Sequence, residues 1–149
     1  MQAMPELVIS EITTEADREA GFAIRREVFC VEQGVSFDEE FDGLDGDCRL
    51  YLARLGGGAI ATARLRHAGA GEVKIERVAV IGSQRGNGYG KAMMARLMQD
   101  AAASDTGNIV IHAQCHAEEF YRALGFTAEG GVFEEAGIDH VRMVLGEKQ

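Results

Sequence analysis

Apolar positions change period several times along the chain, and each change marks an element. Leu7 to Ile12 reads as a first strand. Thr13 and Thr14 then offer an N-cap, with Asp17 three residues after Thr14 in a weak capping box. A helix is expected from about Glu15 to Glu32, with Ala20, Ile24, Val28 and Val31 on one face and Gln33-Gly34 at its end. Arg49 to Leu55 and Ala59 to Arg66 read as two strands joined at Gly56-Gly57-Gly58, a hairpin signal. Val73 to Val80 is the next strand, with Val73, Ile75, Val78 and Val80 near period two. Gly90, Met93, Met94, Leu97, Met98 and Ala101 repeat at i, i+3, i+4, i+7, i+8, which predicts a helix within 86–104. Asp105-Thr106-Gly107-Asn108 reads as a turn, and Ile109-Val110-Ile111 as a short, wholly apolar strand covered on both faces. Ala117 to Leu124 is a short helix closed by Gly125, and Phe126–Phe133 with Ile138–Leu145 form a final hairpin. Strand, helix, strand across 73–112 implies one parallel pair with a right-handed crossover. The expected architecture is α+β: a mixed, mostly antiparallel twisted sheet flanked by helices, in one domain over residues 1–149.

The junction at 81–91 carries the first candidate chemistry. After the Ile81-Gly82-Ser83 hinge, Gly86, Gly88 and Gly90 fall on alternate positions just where a strand passes into a helix. A helix N-terminus has unpaired N–H donors and the positive end of the dipole, and glycine lets a ligand approach the backbone closely. Arg85 and Lys91 bracket the loop with positive charge. The pattern points to an anion site, phosphate above all. It is not a P-loop: the first glycine would fall on Arg85, and Ala92 offers no hydroxyl for magnesium. Nor is it a dinucleotide fingerprint, whose third glycine would fall on Lys91. On pattern alone, a Gly-rich turn before a helix reads the same way.

Composition narrows the classes. With 149 residues, 46% hydrophobic content and one proline, the chain is of ordinary single-domain size and able to bury a core. It has no long apolar run and no charged-then-apolar leader pattern, so no membrane span is expected. Three unevenly spaced cysteines, Cys30, Cys48 and Cys115, argue for free thiols in a reducing cytoplasm. A net charge of −9 argues against nucleic acid as a general partner. The placement of charge says more. Residues 38–47 hold six acids and no base, whereas 49–91 hold eight bases against Glu72 and Glu76. Bases concentrated around a glycine loop suit an anionic ligand. Asp38, Glu40, Asp42 and Gly43 echo half a calcium loop, but its twelfth position is Arg49. A solvated acidic loop, or a lip attracting a cationic amine, accounts for the same residues.

Two motifs bring a resemblance. Arg85, Gly88 and Gly90 fit Arg-x-x-Gly-x-Gly, and Ala117-Glu118-Glu119-Phe120-Tyr121-Arg122-Ala123-Leu124-Gly125-Phe126 fits Ala-x-x-Phe-Tyr-x-x-x-Gly-Phe. In this order they resemble motifs A and B of the Gcn5-related N-acetyltransferase superfamily. The Arg-x-x-Val-Phe-x-x-Glu-Gln element at 26–33 and Gly137-Ile138-Asp139-His140 before the last strand are similar to its ElaA-like branch. The resemblance covers nearly the whole chain. It implies a sheet splayed between the strand ending at Val80 and the one ending at Ile111, with acetyl-coenzyme A in the gap.

The roles that follow are expectations. Val78, Ala79, Val80, Arg85, Gly86, Asn87, Gly88, Tyr89, Gly90 and Lys91 would hold the cofactor. Gln114 would stand in for an Asn that many members carry before motif B. Glu32 and Gln33 would lie on the acceptor side, and Tyr121 matches the family's general acid. Glu76, on the strand leading into the loop, is a candidate base for an amine that must lose a proton before attacking a thioester; a strand carboxylate paired with Arg77 or Arg64 is the other reading. His112, Cys115 and His116 give at most three metal ligands and no Cys-x-x-Cys, so no metal is expected. Cys115 as a nucleophile lacks an assured base. The implied function is transfer of an acetyl group from acetyl-coenzyme A to an amine of a small molecule or peptide, in a cytoplasmic protein that could also form a homodimer. A non-catalytic coenzyme A sensor, a nucleotide module and a synthase of the acyl-homoserine lactone type are the alternatives.

Overall fold

The computed structural model describes residues 5–69, 71–103 and 107–146. The turn expected at 105–108 lies partly outside these residues. Thr14 caps the first helix: its Oγ1 accepts the Asp17 N–H at 3.2 Å ahead of α1 (Glu15–Arg25). The helix then continues over Arg26–Glu32 with wider, π-type winding. That winding turns the buried face away from Val31, which is 75% exposed, and onto Phe29. The expected all-α register of this face is thus corrected over its second half. A single turn, α2 (Phe37–Glu40), follows, capped by Ser36.

The strands are β1 (Leu7–Glu11), β2 (Arg49–Leu55), β3 (Gly58–His67), β4 (Val73–Val80), β5 (Ile109–Gln114), β6 (Phe126–Ala128), β7 (Phe133–Glu135) and β8 (Ile138–Leu145). They form one mixed sheet in the order β1-β2-β3-β4-β5-β8-β6, with β7 also on β8. β4–β5 is the parallel pair; every other pairing is antiparallel. The first strand of the final hairpin is two strands rather than one, because the chain leaves β8 at Gly130-Gly131, where Gly130 has φ 82°. β5 runs three residues beyond the expected Ile111, to Gln114.

α3 (Tyr89–Ala103) and α4 (Glu118–Ala123) cover one face. The period seen in α3 is its packing face: Met93, Met94, Leu97 and Ala101 are buried against Ile75, Ile111, Phe126 and Met143. On the opposite face Ile24, Val28 and Phe29 pack on Leu52 and Ala79. Alternation along β5 sends Ile111 and Ala113 toward α3, and His112 and Gln114 toward the face that α1 covers.

Two irregularities shape the site. β4 and β5 pair only at Val73↔Ile109 and Lys74↔Val110 and then splay. β4 also carries a bulge: Thr62 faces Ala79 but Arg64 faces Glu76, so Arg77 and Val78 together oppose Ala63. Arg77 sits there at φ 56°, a conformation a side chain rarely adopts. The bulge reverses which face the later residues of β4 address. Ile75 points to the α3 side, and Ala79, four residues on, to the α1 side.

Candidate active site

The splay opens a cleft of about 860 Å³, a size ordinary for a small-molecule site. Its upper wall is the glycine loop. Gly86 and Gly88 both have φ 83°, and a Cβ added at either would meet nothing within 4 Å. Only glycine takes this backbone without strain, and the space beside it is open. Ala92 is the first residue of α3 whose N–H reaches a main-chain acceptor, Gly88 O at 3.0 Å. The N–H groups of Tyr89, Gly90 and Lys91 therefore lack helical partners. Lys91 lines the cleft and makes no ion pair with a described residue.

Each expected residue has a definite place. Val78, Ala79, Val80, Arg85, Gly86, Gly88, Tyr89, Gly90, Lys91, Gln114, Gln33, Glu76 and Tyr121 line the cleft; Asn87 and Glu32 do not. Asn87 closes the turn by donating Nδ2–H to Gln84 O at 3.2 Å. Glu32 instead accepts from Arg85 at 2.7 Å, while Arg85 Nε donates to Val80 O at 2.9 Å. Arg85 is thereby positioned over the loop, and its other nitrogen bonds no described residue. Gln33 and Gln114 bond each other across the cleft, Gln114 Nε2 donating to Gln33 Oε1 at 2.8 Å.

Tyr121 packs edge-on against Phe120 and Phe126, and its hydroxyl bonds no described residue. Burial pushes its phenol up to about 12, so the hydroxyl keeps its proton at neutral pH.

Glu76 is the opposite case and corrects an expectation. It is 8% exposed and holds three cations. Oε1 accepts from Arg66 Nε at 2.7 Å and Arg64 at 3.0 Å, and Lys74 Nζ lies 3.1 Å from Oε2. Burial alone would raise its carboxyl, but the Arg66 hydrogen bond and the charges of Arg64 and Lys74 outweigh it and leave the group at about 2. Such a carboxylate has no appetite for a proton near pH 7. Of the two bases offered as its partners, Arg64 pairs with it and Arg77 does not.

The acidic stretch is solvated only in part: Asp38, Glu39, Asp42 and Asp47 are exposed, while Glu40 and Asp45 are buried. Glu40 and Asp45 hold buried Arg25 at 2.8 and 2.6 Å. Asp42 and Asp45 hold buried Arg64 at 2.9 and 3.1 Å. Arg77 reaches Glu40 and Asp42 from the bulge. The charges of the first helix are likewise not all solvated, since Arg25 is among them. Asp38 and Glu39 still line the cleft mouth.

The model of the Acetyltransferase (GNAT) domain matches residues 12–146. The chain belongs to the GNAT acetyltransferase family. Among relatives, the uncharacterized N-acetyltransferase YjcF of Bacillus subtilis is 32% identical over 124 residues, covering 83% of this chain and 88% of YjcF. Protein ElaA of Escherichia coli is 32% identical over 124 residues, covering 80% of this chain and 81% of ElaA. Among solved structures, an acyl-CoA N-acyltransferase from Pseudomonas aeruginosa superimposes with TM-score 0.83 at 32% identity, over 95% of this chain and 99% of that one. The ElaA crystal structure gives 0.83 at 28%, over 96% and 100%.

The GNAT cleft also holds residues that the sequence reading did not assign to it. His112, Glu135 and His140 line its floor on the α1 side, and Lys74 and Arg66 stand near Glu76. The sequence placed His112 only in a metal trio with Cys115 and His116. Among the described residues no such metal-holding group exists, and Cys115 does not line the cleft. The alternation of β5 beyond Ile111 was the one available signal for His112. No helix among the described residues is long and apolar enough to cross a membrane.

Proposed function

We propose that the protein transfers an acetyl group from acetyl-coenzyme A directly to a primary amine of a small molecule or peptide. The observation that carries this is the glycine cradle at the head of α3. Gly86 and Gly88 leave open space beside N–H groups that bond no described residue, with Lys91 at the rim, which fits a pyrophosphate. The exposed edges of Val78, Ala79 and Val80 along the splay fit the extended arm below it, since main-chain groups of β4 there have no β5 partner. When bound, acetyl-coenzyme A supplies an activated acyl carbon and a thiol leaving group.

The chain's own residues do the rest. The N–H groups at the loop and α3 hold negative charge, and the edge of β4 past the bulge that no longer pairs with β5 can offer a donor to a carbonyl. Tyr121, protonated and without a hydrogen-bond partner among the described residues, lines the cleft from the α4 side and can donate to sulfur. The Gln33–Gln114 pair narrows the cleft between the helix end and β5 and separates cofactor and acceptor sides. Asp38 and Glu39 at the mouth favour a cationic acceptor over an anionic one. A protonated hydroxyl in the cleft that bonds no described residue supports turnover over mere coenzyme A sensing.

The test is turnover of acetyl-coenzyme A against a panel of primary amines, amino-acid amides and carboxylic acids, read by thiol release and by mass of the product. N-acetylated amines are expected. Release that is independent of every amine would overturn the reading.

A further inference from the structure

Glu135 lies between two imidazoles. Its Oε1 is 3.3 Å from His112 Nδ1, and its Oε2 is 3.7 Å from His140 Nε2. His140 Nδ1 is 2.7 Å from Ile138 O. A carbonyl can only accept, so His140 carries its proton on Nδ1 and the ring is fixed. Phe133 packs edge-on to His112 at 5.0 Å and stacks on His140 at 5.9 Å. The hydrogen bond from His112 holds the Glu135 carboxyl below its ordinary range, against burial and with help from Lys74 and His140. Glu135 is therefore a carboxylate, and His112 must present Nδ1–H to it. That leaves the lone pair of His112 on Nε2, which bonds no described residue, on a side chain that lines the cleft.

An imidazole held in one tautomer by a carboxylate, with its far nitrogen open, is the arrangement that makes histidine a proton acceptor. The carboxylates sharing this floor are poor rivals. Glu76 is saturated by three cations, and Glu40, although burial pushes its carboxyl up, has its Oε2 engaged by both Arg25 and Arg77.

We propose that His112 is the general base of this cleft, with Glu135 and His140 as its positioning residues. The proposal rests on the acyltransferase reading of the cleft. His112 reaches the splay from the α1 face and Tyr121 from the α4 face, so proton acceptor and proton donor stand on opposite sides of the gap. The protons balance. His112 Nε2 takes one from the acceptor ammonium, and the freed nitrogen lone pair forms the N–C bond. Tyr121 Oη protonates the sulfur that receives the electron pair of the breaking C–S bond. The surplus nitrogen proton restores Tyr121, and His112 releases its own to water.

Two readouts test this. Long-range 15N–1H NMR of the imidazoles in the free protein is expected to find His112 as the Nδ1–H tautomer, and to find that tautomer lost in Glu135→Leu, which has no acceptor. In the thiol-release assay with acetyl-coenzyme A and the best primary amine of the panel, His112→Gln is expected to lower kcat by about a hundredfold or more. Acetyl-coenzyme A affinity by calorimetry should stay within about twofold, since base removal acts on the transition state. The acidic limb of the wild-type pH–rate profile should vanish. The charged groups facing His112 are Glu135 from β7, His140 and Arg142 from β8, Glu72 just before β4 and Lys74 on it; Glu72→Gln serves as control and should keep that limb. An Nε2–H tautomer in the wild type would overturn the proposal, as would His112→Gln with normal turnover and an intact acidic limb. If the wild type acetylates no amine, the functional reading fails, and the tautomer measured without substrate still decides whether the pair exists.

Discussion

Replacing Glu76 with glutamine separates two roles that the same position could play. In the structure Glu76 neutralises Arg64, Arg66 and Lys74 in the interior of the sheet. The amide would keep one acceptor for Arg66 but turn N–H donors against the Lys74 ammonium and leave the Arg64 charge short of a partner. The magnitude follows from proton affinity. A tenfold change corresponds to about 1.4 kcal/mol, so a carboxyl held at about 2 in place of 4.5 contributes about 3 kcal/mol at neutral pH. This matches the usual cost of breaking a buried pair, about 3–5 kcal/mol. The sign is that of a depressed carboxyl: the contribution is complete above the unfolded value of 4.5 and disappears as pH falls toward 2. Urea denaturation followed by circular dichroism should show Glu76→Gln less stable by about 3 kcal/mol at pH 7 and by roughly half as much at pH 3. Turnover of the folded variant should stay within a few-fold of wild type. Unchanged stability together with a hundredfold loss of turnover would refute the reasoning and return Glu76 to the role of base.

Tyr121→Phe removes only a hydroxyl that bonds no described residue, so stability should hold while kcat falls about a hundredfold and acetyl-coenzyme A affinity is unchanged; full activity with a good acceptor would remove Tyr121 from the mechanism. Thr14→Ala deletes the acceptor for Asp17 N–H and should cost about 1 kcal/mol in urea denaturation, with no effect on turnover.

Much of this fold can be read from the chain because its elements are locally self-consistent. The i, i+3, i+4, i+7 spacing of α3, the Thr14 cap and the strand–glycine–helix junction each depend on neighbours within a turn or two. What could not be read depends on distant partners. The π winding of Arg26–Glu32 leaves no distinct period in seven residues, so Val31 looked like a core position and Phe29 did not. Charge balance does not say which cation the acids at 40, 42 and 45 meet; Arg64, the partner of Asp42 and Asp45, lies 19 residues or more away along the chain, on β3. The Glu76 environment needs the β3–β4 register, which brings Arg64 directly opposite it. His112 and Glu135 stand 23 residues apart and meet only because β5 and β7 flank β8 on either side. Asn87 and Glu32 were assigned by their place in a motif, but their side chains close a turn and hold Arg85.

The central claim, that the glycine cradle holds acetyl-coenzyme A, is tested most directly by calorimetric titration of the wild type and of Gly88→Val. Gly88 sits at φ 83° with open space beside it, so a β-branched side chain both strains the backbone and fills the cradle. Saturable one-site binding is predicted for the wild type, weakened about tenfold to a hundredfold in the variant, as a strain of 1–3 kcal/mol implies. No heat at millimolar acetyl-coenzyme A, or equal affinity in the two proteins, would contradict the account.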